Sequence, residues 1–139
     1  MLAVGVMWVV KRAMPGLTFD LPGKWALAIA FALVGIAIAA FGVAQFVRAK
    51  TTVNPLKPGG VSALVTSGVY RFTRNPMYTG MLFFLAGVAL AFSHLAAFAA
   101  LPAFLIYMNR FQISPEEAAL SRTFGPAYAA YRQRVRRWL

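Results

Sequence analysis

The chain has no cysteine, one histidine (His94) and three carboxylates (Asp20, Glu116 and Glu117) in 139 residues. Without cysteine there are no disulfides, thiol nucleophiles or thiolate metal sites. His94, alone at an apolar turn, reads as an interfacial residue rather than a ligand, and no metal site is expected. No strand, glycine-rich turn and helix follow one another, which excludes a soluble dinucleotide-binding fold. No nucleic-acid motif appears either, so the net charge of +11 is not read as a nucleic-acid footprint. The N-terminus lacks a secretory signal pattern, because Lys11 and Arg12 follow the apolar stretch and no small-residue cleavage site is seen.

Long uncharged runs are present instead, and 60% of the residues are hydrophobic. Residues 25–47 carry no charge. As a helix they reach roughly 34 Å, enough for a bilayer core of about 30 Å. Residues 76–109 are also uncharged apart from His94. This run is too long for one ordinary span, and Ser93-His94 is the natural break of a tight helical hairpin. Pro102 then falls in the second arm, which packed membrane helices tolerate. Residues 1–10 are too short to span. They read either as a short helix dipping into the membrane or as the remainder of a longer span.

Eleven of the 14 basic residues lie between the long run and the hairpin or after the hairpin, and the hairpin turn has none. The positive-inside rule puts the middle loop and the tail together in the cytoplasm. The sequence thus predicts an all-α integral membrane protein, a small multi-span helical bundle with a hairpin and a cytoplasmic amphipathic C-terminal helix.

Within the first run Ala28, Ala32, Gly35, Ala39 and Gly42 share one helix face. Small faces let helix backbones approach closely in lipid, and packing within the chain is expected ahead of a dimer seam. In the middle loop, Asn75 and Pro76 suit the cap and first position of a helix. Ser114-Pro115-Glu116-Glu117 has the pattern of a capping box. The Glu pair is therefore either a helix cap or part of a site. The chain should break at Gly125-Pro126. Phe124, Tyr128, Tyr131, Val135 and Trp138 form an aromatic face around that break, read as packing on the membrane or the hairpin rather than as a ligand cage.

The segments LVTSGVYRFTRNPMYTG (residues 64–80) and EEAALSRTFGPAYAAYRQRVRRWL (residues 116–139), in this order around a hairpin, resemble the isoprenylcysteine carboxyl methyltransferase family. That family is related to the phospholipid methyltransferases, and this chain is similar to its bacterial branch. The resemblance covers residues 51–139. It implies an S-adenosylmethionine cofactor bound by Ser62, Ala63, Leu64, Val65, Tyr70, Asn75, Pro76, Met77, Tyr78 and Glu116. It places Arg74 at the reaction centre, with Glu117 beside it as a catalytic residue. Eukaryotic members have His where this chain has Ser62 and Asn75. They have a carboxylate-binding Arg where it has Gln112, so a prenylcysteine carboxylate is not the expected substrate.

The implied organisation is one membrane methyltransferase-like domain, residues 1–139: N-terminal helices (1–47), a cofactor loop (48–75), a transmembrane hairpin (76–110) and C-terminal helices (114–138). The implied function is methyl transfer to a lipid-soluble or small hydrophobic acceptor at the membrane of a bacterium, the inner membrane, with no nucleic acid involved. A carboxylate can accept hydrogen bonds from an ammonium or from ribose hydroxyls, and Leu64, Val65 and Tyr70 can enclose adenine. Two other readings are a membrane reductase related to sterol reductases and a non-enzymatic membrane subunit in which the Glu pair only caps a helix.

Overall fold

The computed structural model describes residues 2–50 and 63–139. Ser62 lies outside the described residues. Among them every regular element is helical, and the one pairing of β type is an isolated bridge between Thr18 and His94. The α-helices are α1 (Leu2–Ala13), α2 (Lys24–Arg48), α3 (Pro76–Phe92), α4 (Leu95–Phe98), α5 (Ala100–Tyr107) and α6 (Ser114–Arg134). Short 3-10 turns occupy Pro15–Leu17 and Gly68–Arg71, and a π-helical turn, Met108–Ile113, leads into α6. Among the described residues α2 alone is long and apolar enough to cross a membrane; α3 is apolar but has 17 residues.

The chain divides into two compact units. The first comprises Met1–Ala37 and Gly80–Tyr107. Here the small-residue face of α2 is buried against α3. A Cβ on Gly87 would come within 2.7 Å of the Ala28 carbonyl oxygen, and one on Gly35 would collide with the Gly80 carbonyl. The two backbones touch, as small-residue faces permit, and the packing is within the chain. Trp25, Ile29, Leu33 and Ile36 on α2 are exposed. Met7 of α1 is buried in a core with Leu85, Ala89 and Ala97.

The break at Ser93-His94 is where the sequence puts it. Ser93 adopts a positive φ of 46° and its hydroxyl donates to the Leu90 carbonyl, ending α3. His94, however, is not interfacial: it is completely buried. The segment after α1 covers it, with its Nε2 2.7 Å from the Met14 carbonyl and the Phe19 amide donating to the Ser93 carbonyl at 3.0 Å. A contact across 80 residues leaves no local pattern in the sequence.

The second unit comprises Ile38–Thr79 and Met108–Leu139. Its core is Val65, Tyr70, Tyr128 and Tyr131, with Phe46, Leu64, Leu120 and Phe124 packed against it. Gly42 on α2 lets Pro76 and Met77 approach, and Gly68 (φ 59°) lies against the Gln45 side chain, where a Cβ would clash. The expected break in α6 is a kink at Gly125 (φ 47°, ψ −119°) before Pro126. The C-terminal helix stops at Arg134 rather than running on to 138. Val135 is extended (φ −124°, ψ 132°), because the last residues turn to bond the segment before α3.

The capping box does not form. The backbone is already helical at Ile113 (φ −70°, ψ −44°), since the π turn runs directly into α6. Ser114 therefore has no free helix start to cap, and its hydroxyl donates to the Asn109 carbonyl at 2.6 Å. Both glutamates are released for other partners.

Candidate functional site

The second unit contains an open-mouthed, narrow cavity of about 660 Å³ of empty space, mouth included. Three stretches distant in sequence wall it: Ala63, Leu64, Val65 and Tyr70; then Arg74, Asn75, Met77 and Tyr78 around the start of α3; then Glu116, Glu117, Leu120, Tyr128 and Tyr131 on α6. Phe46 of α2 completes the wall, its ring edge-on to Tyr70 at 5.4 Å between centroids. Of the described residues predicted from the sequence for cofactor binding or catalysis, all but Pro76 line this cavity, the Arg–Glu pair included. They leave one side undrawn, and the aromatic packing face of α6 closes it.

Pro76 is fully buried and packs behind the cavity against Gly42. Asn75 lines the cavity, but its side chain does not cap α3. Its Nδ2 donates to the Arg137 carbonyl at 2.9 Å, while its amide donates to the Thr73 hydroxyl at 3.1 Å. The Thr79 amide donates to the Asn75 carbonyl at 2.9 Å, so Asn75 still opens the helix through its backbone.

The two glutamates, adjacent in sequence, have separate surroundings. Oε1 of Glu116 accepts from the Tyr78 hydroxyl at 2.7 Å and from Nε2 of Gln112 at 2.6 Å. Its second oxygen has no partner among the described residues. Glu117 is buried and carries two guanidinium groups. Arg74 Nη2 lies 3.0 Å from Oε1; Arg137 Nη2 lies 2.6 Å from Oε2 and its Nε donates to Oε1 at 3.2 Å. Such charge-assisted bonds are the strong ones. The two carboxylates are thus used differently. Glu117 is paired with two arginines, and Glu116 has one oxygen without a partner among the described residues.

The phenols of the wall are kept neutral. Burial pushes the Tyr128 hydroxyl up to about 12, with the charge of Glu117 adding to it. Burial also raises Tyr70 and Tyr131 well above the ordinary tyrosine range. Protonated phenols act as donors, and that of Tyr131 donates to the Tyr70 carbonyl at 2.7 Å, tying α6 to the Gly68–Arg71 turn.

Sequence reasoning missed Phe46, Leu120, Tyr128 and Tyr131 as wall residues. The four-and-three spacing of the α6 aromatics was visible, but spacing gives a face and not what the face meets. Gln112 was visible only as a departure from a pattern. It stands four residues before Glu116, a spacing that brings side chains together on a helical segment.

The family model for phospholipid methyltransferases matches residues 23–127. An uncharacterized protein of Haemophilus influenzae (strain ATCC 51907 / DSM 11121 / KW20 / Rd) is 38% identical over 63 residues, which are 45% of this chain and all of that protein.

Proposed function

The chain belongs to the phospholipid methyltransferase family, and from that premise we propose that it is an integral membrane methyltransferase that uses S-adenosylmethionine and acts on a lipid-soluble or small hydrophobic acceptor. The observation that carries the cofactor reading is Glu116: a carboxylate in an aromatic and aliphatic cavity, fixed through one oxygen and with no partner at the other among the described residues. The donor set suits the cofactor. That second oxygen accepts from ribose hydroxyls or an ammonium group. Leu64, Val65 and Tyr70 offer an apolar slot for adenine, and Ala63, Asn75, Met77 and Tyr78 complete the contact surface. Ser62 and Pro76 belong to the same proposed binding stretch.

When bound, the cofactor supplies a methyl group on a sulfonium, ready for in-line displacement. The residues of the chain contribute position and a dry environment, which supply much of the rate in such reactions. Arg74 is the proposed residue at the reaction centre. It lines the cavity and is held there by Glu117, so it orients an anionic part of the acceptor. Tyr70, Tyr128 and Tyr131, held neutral, add no negative charge that would compete with Glu116. In this reading the whole chain works as one methyltransferase domain. The long helix and the hairpin segment cross the inner membrane of a bacterium, and the cofactor loop and tail face the cytoplasm. The loss of the capping box weighs against a Glu pair that merely caps a helix.

The test is calorimetric binding of S-adenosylmethionine to protein purified in detergent or nanodiscs, beside Glu116→Gln. The wild type should bind, and the variant should bind at least about tenfold more weakly, the effect of losing a charged acceptor. A folded wild type that ignores S-adenosylmethionine and binds a nicotinamide cofactor would transfer the site to the reductase reading.

A further inference from the structure

We infer that Arg137, outside the stretch matched by the family, is a positioning residue: by occupying Glu117 it keeps the Nε–H of Arg74 free for a ligand. The role of that ligand rests on the methyltransferase reading; the arrangement of the three side chains does not.

A guanidinium beside a carboxylate normally closes on it with two parallel N–H···O bonds. Arg74 does not. Its Nη2 reaches Oε1 of Glu117, yet its Nε is buried and has no hydrogen-bond partner among the described residues. A buried donor left without an acceptor is costly. The acceptor that would satisfy it is present, 3.0 Å from the neighbouring nitrogen of the same guanidinium, but committed elsewhere. Arg137 forks across both oxygens of Glu117, through Nη2 to Oε2 and Nε to Oε1.

Arg137 is itself fixed. Its Nη1 donates to Oδ1 of Asn109 at 3.4 Å, and Trp138 Nε1 donates to the same oxygen at 3.1 Å. Its carbonyl accepts from Asn75 Nδ2 and from the Thr73 hydroxyl, and the Arg136 carbonyl accepts from the Arg74 amide. The same short segment therefore holds Arg74 by the backbone and sets its side chain through Glu117. The π turn matters here because it carries Asn109. Arg74 lines the cavity, and its left-over donor, itself buried, suits an anionic oxygen, carboxylate or phosphate, on a ligand bound against this side chain.

The experiment reads the Arg74 Nε–H directly in protein with ¹⁵N-labelled arginine, its resonance identified by loss in Arg74→Lys. In Arg137→Met, Glu117 should turn onto Arg74, moving the Nε–H signal downfield and slowing its exchange with water. Arg137→Lys keeps the charge without the fork and should shift it the same way, less far. In a Glu117→Gln background Arg137→Met should leave the signal where it is. S-adenosylmethionine affinity of Arg137→Met should stay within about threefold of wild type, since Glu116 and its two donors are untouched. An unmoved Nε–H in a folded Arg137→Met protein overturns the inference, as does a loss of cofactor binding as large as that of Glu116→Gln. If Arg137→Met does not fold, Arg137→Lys decides by the same shift. A wild type without cofactor binding would remove the methyltransferase reading and leave the resonance test standing.

Discussion

The two compact units are built from the same chain by opposite means. In the first, α2 and α3 meet through alanine and glycine, backbone against backbone, and its ordered polar contacts gather at one turn around His94. In the second, the elements are tied by side chains: Glu117 to two arginines, Glu116 to Tyr78 and Gln112, Tyr131 to a main-chain carbonyl. Steric fit needs no partner to be charged. A polar network needs every member, and the cost of removing one falls on the others. Among the described residues, the unit with such a network is also the one with the candidate site.

Substitutions sharpen this contrast. The largest effect is expected at Glu117→Ala, which strands two guanidinium groups, that of Arg74 mostly buried. Removing one partner of a buried ion pair costs about 3–5 kcal/mol, and thermal unfolding in detergent should show a correspondingly large drop. A variant as stable as wild type would mean that the network does not hold the second unit. Next comes Gly35→Ala in the first unit. The added methyl gains helix propensity but meets backbone that cannot swing aside, for a net loss of about 2 kcal/mol. An unchanged melting temperature would show that α2 and α3 are not in backbone contact.

The last effect is read only at high pH. The unfolded Tyr128 phenol ionises near 10, whereas in the folded chain it holds its proton to about 12. Between those values the folded state binds more protons, so stability is complete below pH 10 and declines as pH rises through the window, by at most about 1.4 kcal/mol per unit for this group. Tyr128→Phe should flatten that part of the profile in a chemical-denaturation series. The same slope in both proteins would assign it to other tyrosines.

Much of the first unit was legible because its signals are periodic and local: the uncharged run of α2, its small face, the break at Ser93-His94. What escaped was the burial of His94, produced by a stretch of chain 80 residues away. In the second unit the kink at Gly125-Pro126 and most of the wall from Ala63 to Tyr78 could be placed from motifs. The capping box misled because Ser-Pro-Glu-Glu describes a helix start, and a π turn had already begun the helix. The aromatic wall and Arg137 were invisible for a common reason. Both depend on which side chains meet across three segments, and no periodicity within one segment encodes that.

The hydrogen bonds that close the cavity join residues 61 to 64 positions apart: Tyr131 to Tyr70, Arg137 to Asn75, Arg137 to Thr73. Contacts this far apart in sequence are slow to form, because the loop between them must be ordered first. The α2 and α3 helices can be drawn long before the tail is available. Local helical contacts are therefore expected ahead of the cavity in the order of assembly. A chain stopped just after α6 would keep its local helical contacts yet lack the clasp on Thr73 and Asn75, and its site would be unfinished.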